Sequence, residues 1–363
     1  MFFLLAACAS APAAKSGADE DTCPTDLNPQ AQAATFTAMM SGTGDECQTA
    51  WYLDFLDVHA EGAGPWHEDI FVDHTDDART FDVTDASRQF TEAAVPDVIR
   101  GPDDVYYMYF VEGSIELAKE VASSGSDWMR THGLLGYGAI NMATSTDGVN
   151  FSKDAAFVIE GITQGMVVDP EVHALPDGTF RLYYIGTPVE DVVLPEAWQD
   201  DAPHTLYYAE SDDLVHWTQV GVAAEGPNAD PSVMCINETD CFLASTGLDW
   251  GHSTDGGATF DFEEMDNPAG FAPKFLRLAD GAWKMFFNSA AHGGPIDVWL
   301  SRDDGETWTP DGVAIDPWTV EALSFWQDPA GGWFVYYHYW QDGYSGDSWG
   351  DADEDSGLDS GGG

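Results

Sequence analysis

Five places in this chain open a short extended run with an ionisable side chain near its start. They are VPD at 95–97, VDPE at 168–171, ADPS at 229–232, APK at 272–274 and VEA at 320–322. Residues two apart in a strand share a face. Asp97, Asp169, Glu171, Asp230, Lys274 and Glu321 are therefore expected to converge wherever these runs are brought side by side. Carboxylates gathered in one place raise one another's proton affinity. Such a group suits general acid–base chemistry, or the oxygen cage of a bound cation.

The elements that must position these residues are written as two interleaved words. One is a strand, an Asp/Gly turn and a strand rich in Tyr, Phe and Met. It occurs as VPDVIRGPDDVYYMYF (95–110), VDPEVHALPDGTFRLYYIG (168–186), ADPSVMCINETDCFLAS (229–245), APKFLRLADGAWKMFF (272–287) and VEALSFWQDPAGGWFVYY (320–337). Each predicts a β-hairpin. The other word is Ser/Thr-x-Asp followed by turn residues and an aromatic. It is strictest in STDGGATF (253–260) and SRDDGETW (301–308), and looser in TDDARTF (75–81), STDGVNF (145–151) and SDDLVHW (211–217). It reads as a strand end, a tight turn and a new strand, with the aromatic packed on the sheet. Four strands per repeat, five times over, predict an all-β, five-bladed β-propeller. The chain opens with a second-half word and ends with a first-half word. The amino-terminal strands should therefore complete the last blade and remove two open sheet edges. The repeated turn word is structural on this reading.

Composition narrows the partners. With 64 acidic and 12 basic residues the formal net charge is −52, which excludes binding to a nucleic-acid backbone. The acidic surface fits a saline setting. Asp-rich loops leave calcium as the one cofactor open. Residues 1–8, MFFLLAAC, resemble a bacterial lipoprotein signal, with Cys8 as the lipidated residue. The run is short and lacks a basic start, so the true start codon is expected upstream. Residues 9–50 are read as a tether and amino-terminal segment, 51–342 as the propeller, and 343–363 as an acidic, Gly/Ser-rich disordered tail. Cys235 and Cys241 flank the turn INETD and are expected to pair, leaving Cys23 with Cys47. Four cysteines allow three connectivities, and this one is preferred. An even count without clustered His suits disulfides outside the cytoplasm. A monomer is expected, secreted or held at the envelope, with contact to the membrane only through a lipid anchor.

The D-P-x-V strand starts, the D-G-x-(Y/W)-x-(M/L)-(Y/F)-(Y/F) strands and the A-x-S-x-D turns resemble the arabinanase, levansucrase and invertase superfamily of five-bladed glycoside hydrolases. The likeness runs over about residues 65–340. The strict turn words also resemble the Asp boxes of sialidases, whose arginine triad has no counterpart here. The resemblance implies a carbohydrate partner and three carboxylates on the first three blades: a general base, an orienting Asp and a general acid. Asp169-Pro170 matches the orienting Asp. Blade one carries Val95-Pro96 where the base belongs, with Asp97 two residues on as its substitute. Blade three carries Asp230-Pro231 where a Glu is expected, and Glu225-Gly226-Pro227 resembles the family's E-G-P. An acid and base set about 6.5–9.5 Å apart would invert the anomeric centre.

Long loops follow the second strand of blades one, two and four, at 112–138, 186–204 and 288–295. They bring Trp128, His132, Trp198, His204 and His292 to the face on which the inner strands start. Flat indole faces above a polar floor suit sugar rings. Three readings follow: an extracellular glycoside hydrolase, a catalytically inactive cell-surface propeller that binds a glycan or a protein, or a cation-bound envelope module. A bell-shaped pH dependence marks the first.

Overall fold

The computed structural model describes residues 23–24, 27–40, 42–59, 65–80, 86–114, 116, 119, 139–154, 156–188, 204–226, 229–247, 250–263, 270–289, 295–315 and 320–340. Two helices precede the first strand. α1 (Pro29–Met40) has Asn28 as its cap, whose Oδ1 accepts the Ala31 amide at 3.0 Å, and proline at its first position. α2 (Glu46–His59) opens on a reciprocal cap. The Gln48 amide donates to Asp45 Oδ1 and the Asp45 amide to Gln48 Oε1, at 2.9 and 3.0 Å. Phe36 packs edge-on against Trp51 and Phe55, and the Cys23–Cys47 disulfide ties the approach to α1 onto α2. The helix pair thus runs across residue 50, where composition alone suggested a tether giving way to strands.

The described strands form five antiparallel blades. Blade one is β3 (Ala93–Arg100), β4 (Tyr106–Glu112), β5 (Ala139–Ser145) and β6 (Ser152–Lys153). Blade two is β8 (Gln164–Ala174), β9 (Phe180–Pro188), β10 (Thr205–Ser211) and β11 (His216–Glu225), with β7 (Val158–Glu160) added in parallel outside β11. Blade three is β12 (Ser232–Cys235), β13 (Cys241–Ala244), β14 (Trp250–Ser253) and β15 (Asp261–Glu263). Blade four is β16 (Phe271–Arg277), β17 (Trp283–Asn288), β18 (Ile296–Ser301) and β19 (Thr309–Ile315). Blade five joins β20 (Val320–Gln327) and β21 (Trp333–Trp340) to β1 (Glu68–Thr75) and β2 (Ser87–Thr91). β1 pairs with β21 along its whole length, from Glu68 opposite Trp340 to Thr75 opposite Trp333. The closure expected from the order of the words is therefore present. Each inner strand touches the next around the ring, β3 to β8, β12, β16, β20 and back to β3.

The core is a set of wedges between adjacent blades. Tyr109, Met142, Leu182 and Trp217 fill the wedge between blades one and two, and Phe286, Val298, Phe325 and Val335 that between four and five. The turn words staple these wedges. In Ser253–Phe260 the Gly257 amide donates to Ser253 Oγ at 2.8 Å and the Thr259 amide to Asp255 Oδ1 at 2.9 Å. The same bonds recur at Ser145/Asp147, Ser211/Asp213 and Ser301/Asp303. Tyr109, Tyr183 and Tyr336 then donate their hydroxyls to the Leu214, Gly257 and Gly148 carbonyls in the turn of the next blade. The Ser hydroxyl and the Asp carboxylate of these turn words accept from amides of their own loop. Cys235 lies opposite Cys241 in the β12–β13 ladder and is bonded to it.

Candidate functional site at the channel mouth

One backbone device organises the channel. Every blade carries a residue with positive φ in or just before its inner strand: Val95 (47°), Asp169 (54°), Asp230 (48°), Ala272 (45°) and Ala322 (48°). Proline follows in four of the five blades, and the ladders of β3, β8, β16 and β20 slip at this point. A non-glycine residue in this region costs energy and persists where the surroundings over-determine it. Here the bulge separates the inward side chains into two layers. Asp169, Asp230 and Glu321 stand at the mouth. Asp97, Glu171 and Lys274, with Ser232 and Ser324, form a floor two residues deeper. The single ring anticipated from strand alternation is thus two rings, and Asp97 aligns with Glu171 and not with Asp169.

The floor is a closed network. Asp97 Oδ2 accepts the Val172 amide at 2.7 Å and its Oδ1 accepts the Ser324 hydroxyl at 2.7 Å. Glu171 Oε1 accepts the Val233 amide at 3.1 Å. Lys274 Nζ donates to Asp97 Oδ1 at 2.7 Å and to Glu171 Oε2. Burial pushes the Glu171 carboxyl up to about 8, the Asp97 charge adds to this, and Lys274 opposes it. Burial works against the Lys274 charge, yet the two carboxylates hold it above the ordinary lysine range. With the Asp97 and Glu171 oxygens and the Lys274 amine engaged in this way, the three residues lock the channel. The catalytic role expected for Asp97 and the substrate contacts expected for Glu171 and Lys274 fall on residues used for blade-to-blade bonding.

The mouth layer differs. Asp169 Oδ2 accepts the Asp230 amide at 3.1 Å, and Asp230 Oδ2 accepts the Thr246 hydroxyl at 2.7 Å. Two further groups join them from blade five. His338 on β21 is 3% exposed, and its Nε2 lies 3.5 Å from Glu321 Oε2 and 3.6 Å from Glu68 Oε2. The Val95 amide donates to His338 Nδ1 at 3.0 Å, so Nε2 carries the ring proton and faces the two carboxylates. Burial and carboxylates compete at this imidazole. Burial disfavours its charge, while Glu68, Glu321 and Asp230 outweigh it and raise the ring to about 9. A second proton would need Nδ1 and so would break the Val95 bond. The geometry decides for the neutral ring, and the carboxylates set the direction in which its proton affinity moves once that bond opens.

Burial also lifts Glu68 to about 7, with Glu321 and Asp230 adding to the rise and His338 opposing it. It lifts Asp169 to about 8, with Asp230 and Glu68 adding. Carboxyl groups that hold a proton near neutrality can donate one. Sequence reasoning missed Glu68 and His338. The signal for His338 was a lone imidazole inside the aromatic run WFVYYHYW beside an inner strand. Glu68 carried no signal, because its place follows from pairing across the closure.

Glu225 is exposed at the end of β11, the fourth strand of blade two, opposite Thr205. It belongs to the outermost antiparallel strand of blade two, separated from β8 by β10 and β9. Trp128, His132, Trp198, His292 and Cys8 lie outside the described residues. His204 sits at the start of β10 with Nδ1 3.3 Å from the Thr187 hydroxyl, and burial lowers its proton affinity. The helix pair shares a hydrophobic cluster with Trp66, Met166, Leu206 and Ala224 at the mouth end of blade two. Lys119, in the blade-one loop, reaches Asp57 of α2 at 2.5 Å.

No protein-family model matches the sequence, and no curated protein matches it. Solved structures similar to this chain include the GH43 protein BlXynB from Bacillus licheniformis, at 14% identity and a TM-score of 0.47, covering 68% of this chain and 48% of that one. The chain thus spans about half the length of that protein. A family 117 glycoside hydrolase from the marine bacterium Zobellia galactanivorans is similar at 13% identity and a TM-score of 0.46, covering 76% of this chain and 91% of that one. CoXyl43, a GH43 β-xylosidase/α-arabinofuranosidase from a compost microbial metagenome in a calcium-free form with xylotriose, is similar at 13% identity and a TM-score of 0.46, covering 68% and 84%. The propeller itself stands on the strand order and closure described above. Among the described residues no group of three or more His, Cys, Asp and Glu is arranged to hold a metal ion. No described helix is long and apolar enough to cross a membrane.

Proposed function

We propose that this chain acts on glycans at the channel mouth and hydrolyses a glycosidic bond there. The observation that carries the reading is the mouth layer. Glu68, Asp169, Asp230 and Glu321 surround one buried imidazole, and Glu68 and Asp169 keep a proton near neutral pH. In this reading Glu68 gives its proton to the glycosidic oxygen as the bond to the anomeric carbon breaks. Asp230 takes a proton from the water whose oxygen bonds to that carbon. Blades three and five are not neighbours in the ring, so acid and base stand across the mouth with room for water, and inversion is expected. Asp169 holds the Asp230 amide and tunes its charge, and His338 holds Glu68 in place. The two disulfides favour an exported protein.

A second reading is binding without turnover. The left-handed position is held by Val95 in blade one, Ala272 in blade four and Ala322 in blade five, so three of these five side chains are apolar. A panel of arabinan, xylan, fructan and aryl glycosides, run as both turnover and affinity electrophoresis, tests the two. Hydrolysis with a bell-shaped pH profile, whose acidic-group limb near 7 disappears in Glu68→Gln, supports the enzyme. Retarded migration without release of sugar supports binding alone, and neither effect on any glycan rejects the proposal.

A further inference from the structure

The floor of the channel follows one rule with one exception. In four blades the side chain two residues past the left-handed residue takes an amide from the next blade. Asp97 accepts Val172, Glu171 accepts Val233, Ser232 Oγ accepts Phe275 and Ser324 Oγ accepts Val98. Lys274 holds this position in blade four, and an ammonium has no lone pair with which to accept. It bonds instead to Asp97 of blade one and Glu171 of blade two. Those are the two blades that blade four does not adjoin, so its side chain must cross the channel axis. Ser324 donates to Asp97 Oδ1 at 2.7 Å, and Ser232 lies 3.4 Å from Glu171 Oε1. Two carboxylates and two hydroxyls therefore converge around one buried positive charge. Such hard oxygen donors are what a calcium ion takes as ligands.

We propose that the Lys274 ammonium is the built-in cation of the channel floor, standing where a divalent ion would otherwise bridge Asp97 and Glu171. The chain then needs no divalent ion at this point, and removing the amine turns the floor into a calcium site. The inference is independent of any glycan activity. Physically, the ammonium compensates two carboxylates that the bulge forces into a desolvated ring, and it does so without depending on external ion concentration. Calcium does not fit the floor as built, because the amine already occupies the space between its ligands.

The test compares thermal melts of the full chain in chelator and in millimolar calcium. Sodium chloride is adjusted to equal ionic strength, because a chain of this charge responds to any salt. The wild type is expected to melt at one temperature in both. Lys274→Ala should melt roughly 5 °C lower in chelator, the scale for breaking a buried ion pair. It should regain most of that loss in calcium and show one calorimetric calcium site. Glu171→Gln added to Lys274→Ala should abolish both the recovery and the site. If Lys274→Ala folds only in calcium, the proposal is supported directly. If it folds in neither condition, Lys274→Gln, which keeps a hydrogen-bond donor, is measured the same way. Two results overturn the proposal. One is a calcium-specific rise in the wild type that Asp97→Asn removes. The other is a lysine variant that folds yet neither recovers in calcium nor binds it.

Discussion

Asp169→Asn separates the charge of the mouth from its architecture. Asn keeps an oxygen for the Asp230 amide and tolerates the left-handed backbone at φ 54°, so only the charge is removed. Burial, with Asp230 beside it, lifts the carboxyl from 3.8 to about 8. Between those values the unfolded chain has released the proton that the folded chain retains, so wild-type stability falls as pH rises across that window. At about 1.36 kcal/mol per unit the whole shift sets a ceiling of roughly 6 kcal/mol, and relaxation with water entry reduces the expected gain of Asn to about 2–4 kcal/mol at pH 8. Near pH 4 the gain should vanish. Asp169→Ala instead leaves the Asp230 amide without this acceptor and should cost about 1–3 kcal/mol at pH 4. Melts at both pH values read this directly, with Asn expected roughly 3–5 °C above wild type at pH 8. Turnover on any glycan the wild type hydrolyses should fall by about a hundredfold or more. The reasoning is refuted if Asn and Ala are equally destabilised at pH 4, or if no gap opens between Asn and wild type as pH rises.

Two more outcomes follow from the same electrostatics. Glu68 and Asp169 are both raised by burial. Each retains protons in the folded chain that the unfolded chain gives up, so the melting temperature should decline from mildly acidic pH to pH 9. The turn aspartates Asp147, Asp255 and Asp303 are lowered by hydrogen bonds from their own loops, so their support is lost below about pH 4, and a flat profile from about pH 3 to 9 would contradict both effects. With a net charge of −52, sodium chloride should raise the melting temperature well beyond the first tenth molar, until the Debye length falls to about 3 Å near 1 M. A melting temperature unaffected by salt would mean that the surface charge is compensated locally.

How much of this was legible varies by residue. Cys235 and Cys241 could be paired from six residues of sequence, because a hairpin places such positions face to face. The turn words announced their role for a similar reason: Ser, Asp and Thr at fixed spacing close a loop on its own amides. Asp169 could be placed on an inner strand because its Asp-Pro pair is local. Lys274 was seen to face inward, but whether an inward lysine meets substrate or carboxylates depends on what stands across the channel, 103 residues away in the case of Glu171. Glu225 was drawn toward blade three by its E-G-P pattern, whereas the chain is still in the outer strand of blade two at that point. The helix pair was missed because residues 9–50 read as a tether and the propeller as beginning at residue 51, which falls inside α2.

Read by itself, the sequence determined five hairpins, five stapled turns, the closing of blade five by the amino-terminal strands and an overwhelmingly acidic surface, and it gave a preference among three connectivities for the two disulfides that form. All of these rest on short-range chemistry or on counting repeats, which a linear chain displays openly. Only the tertiary structure decided which ionisable groups share a layer. A left-handed residue in or just before each inner strand displaces the following side chain along the axis, so Asp97, Glu171 and Lys274 sink into the floor while Asp169 and Asp230 stay at the mouth. Closure of the ring then brings Glu68 and His338 beside them, from strands separated by nearly the whole propeller in sequence. Depth along the channel and proximity across it are properties of the closed ring, and no stretch of chain carries them alone.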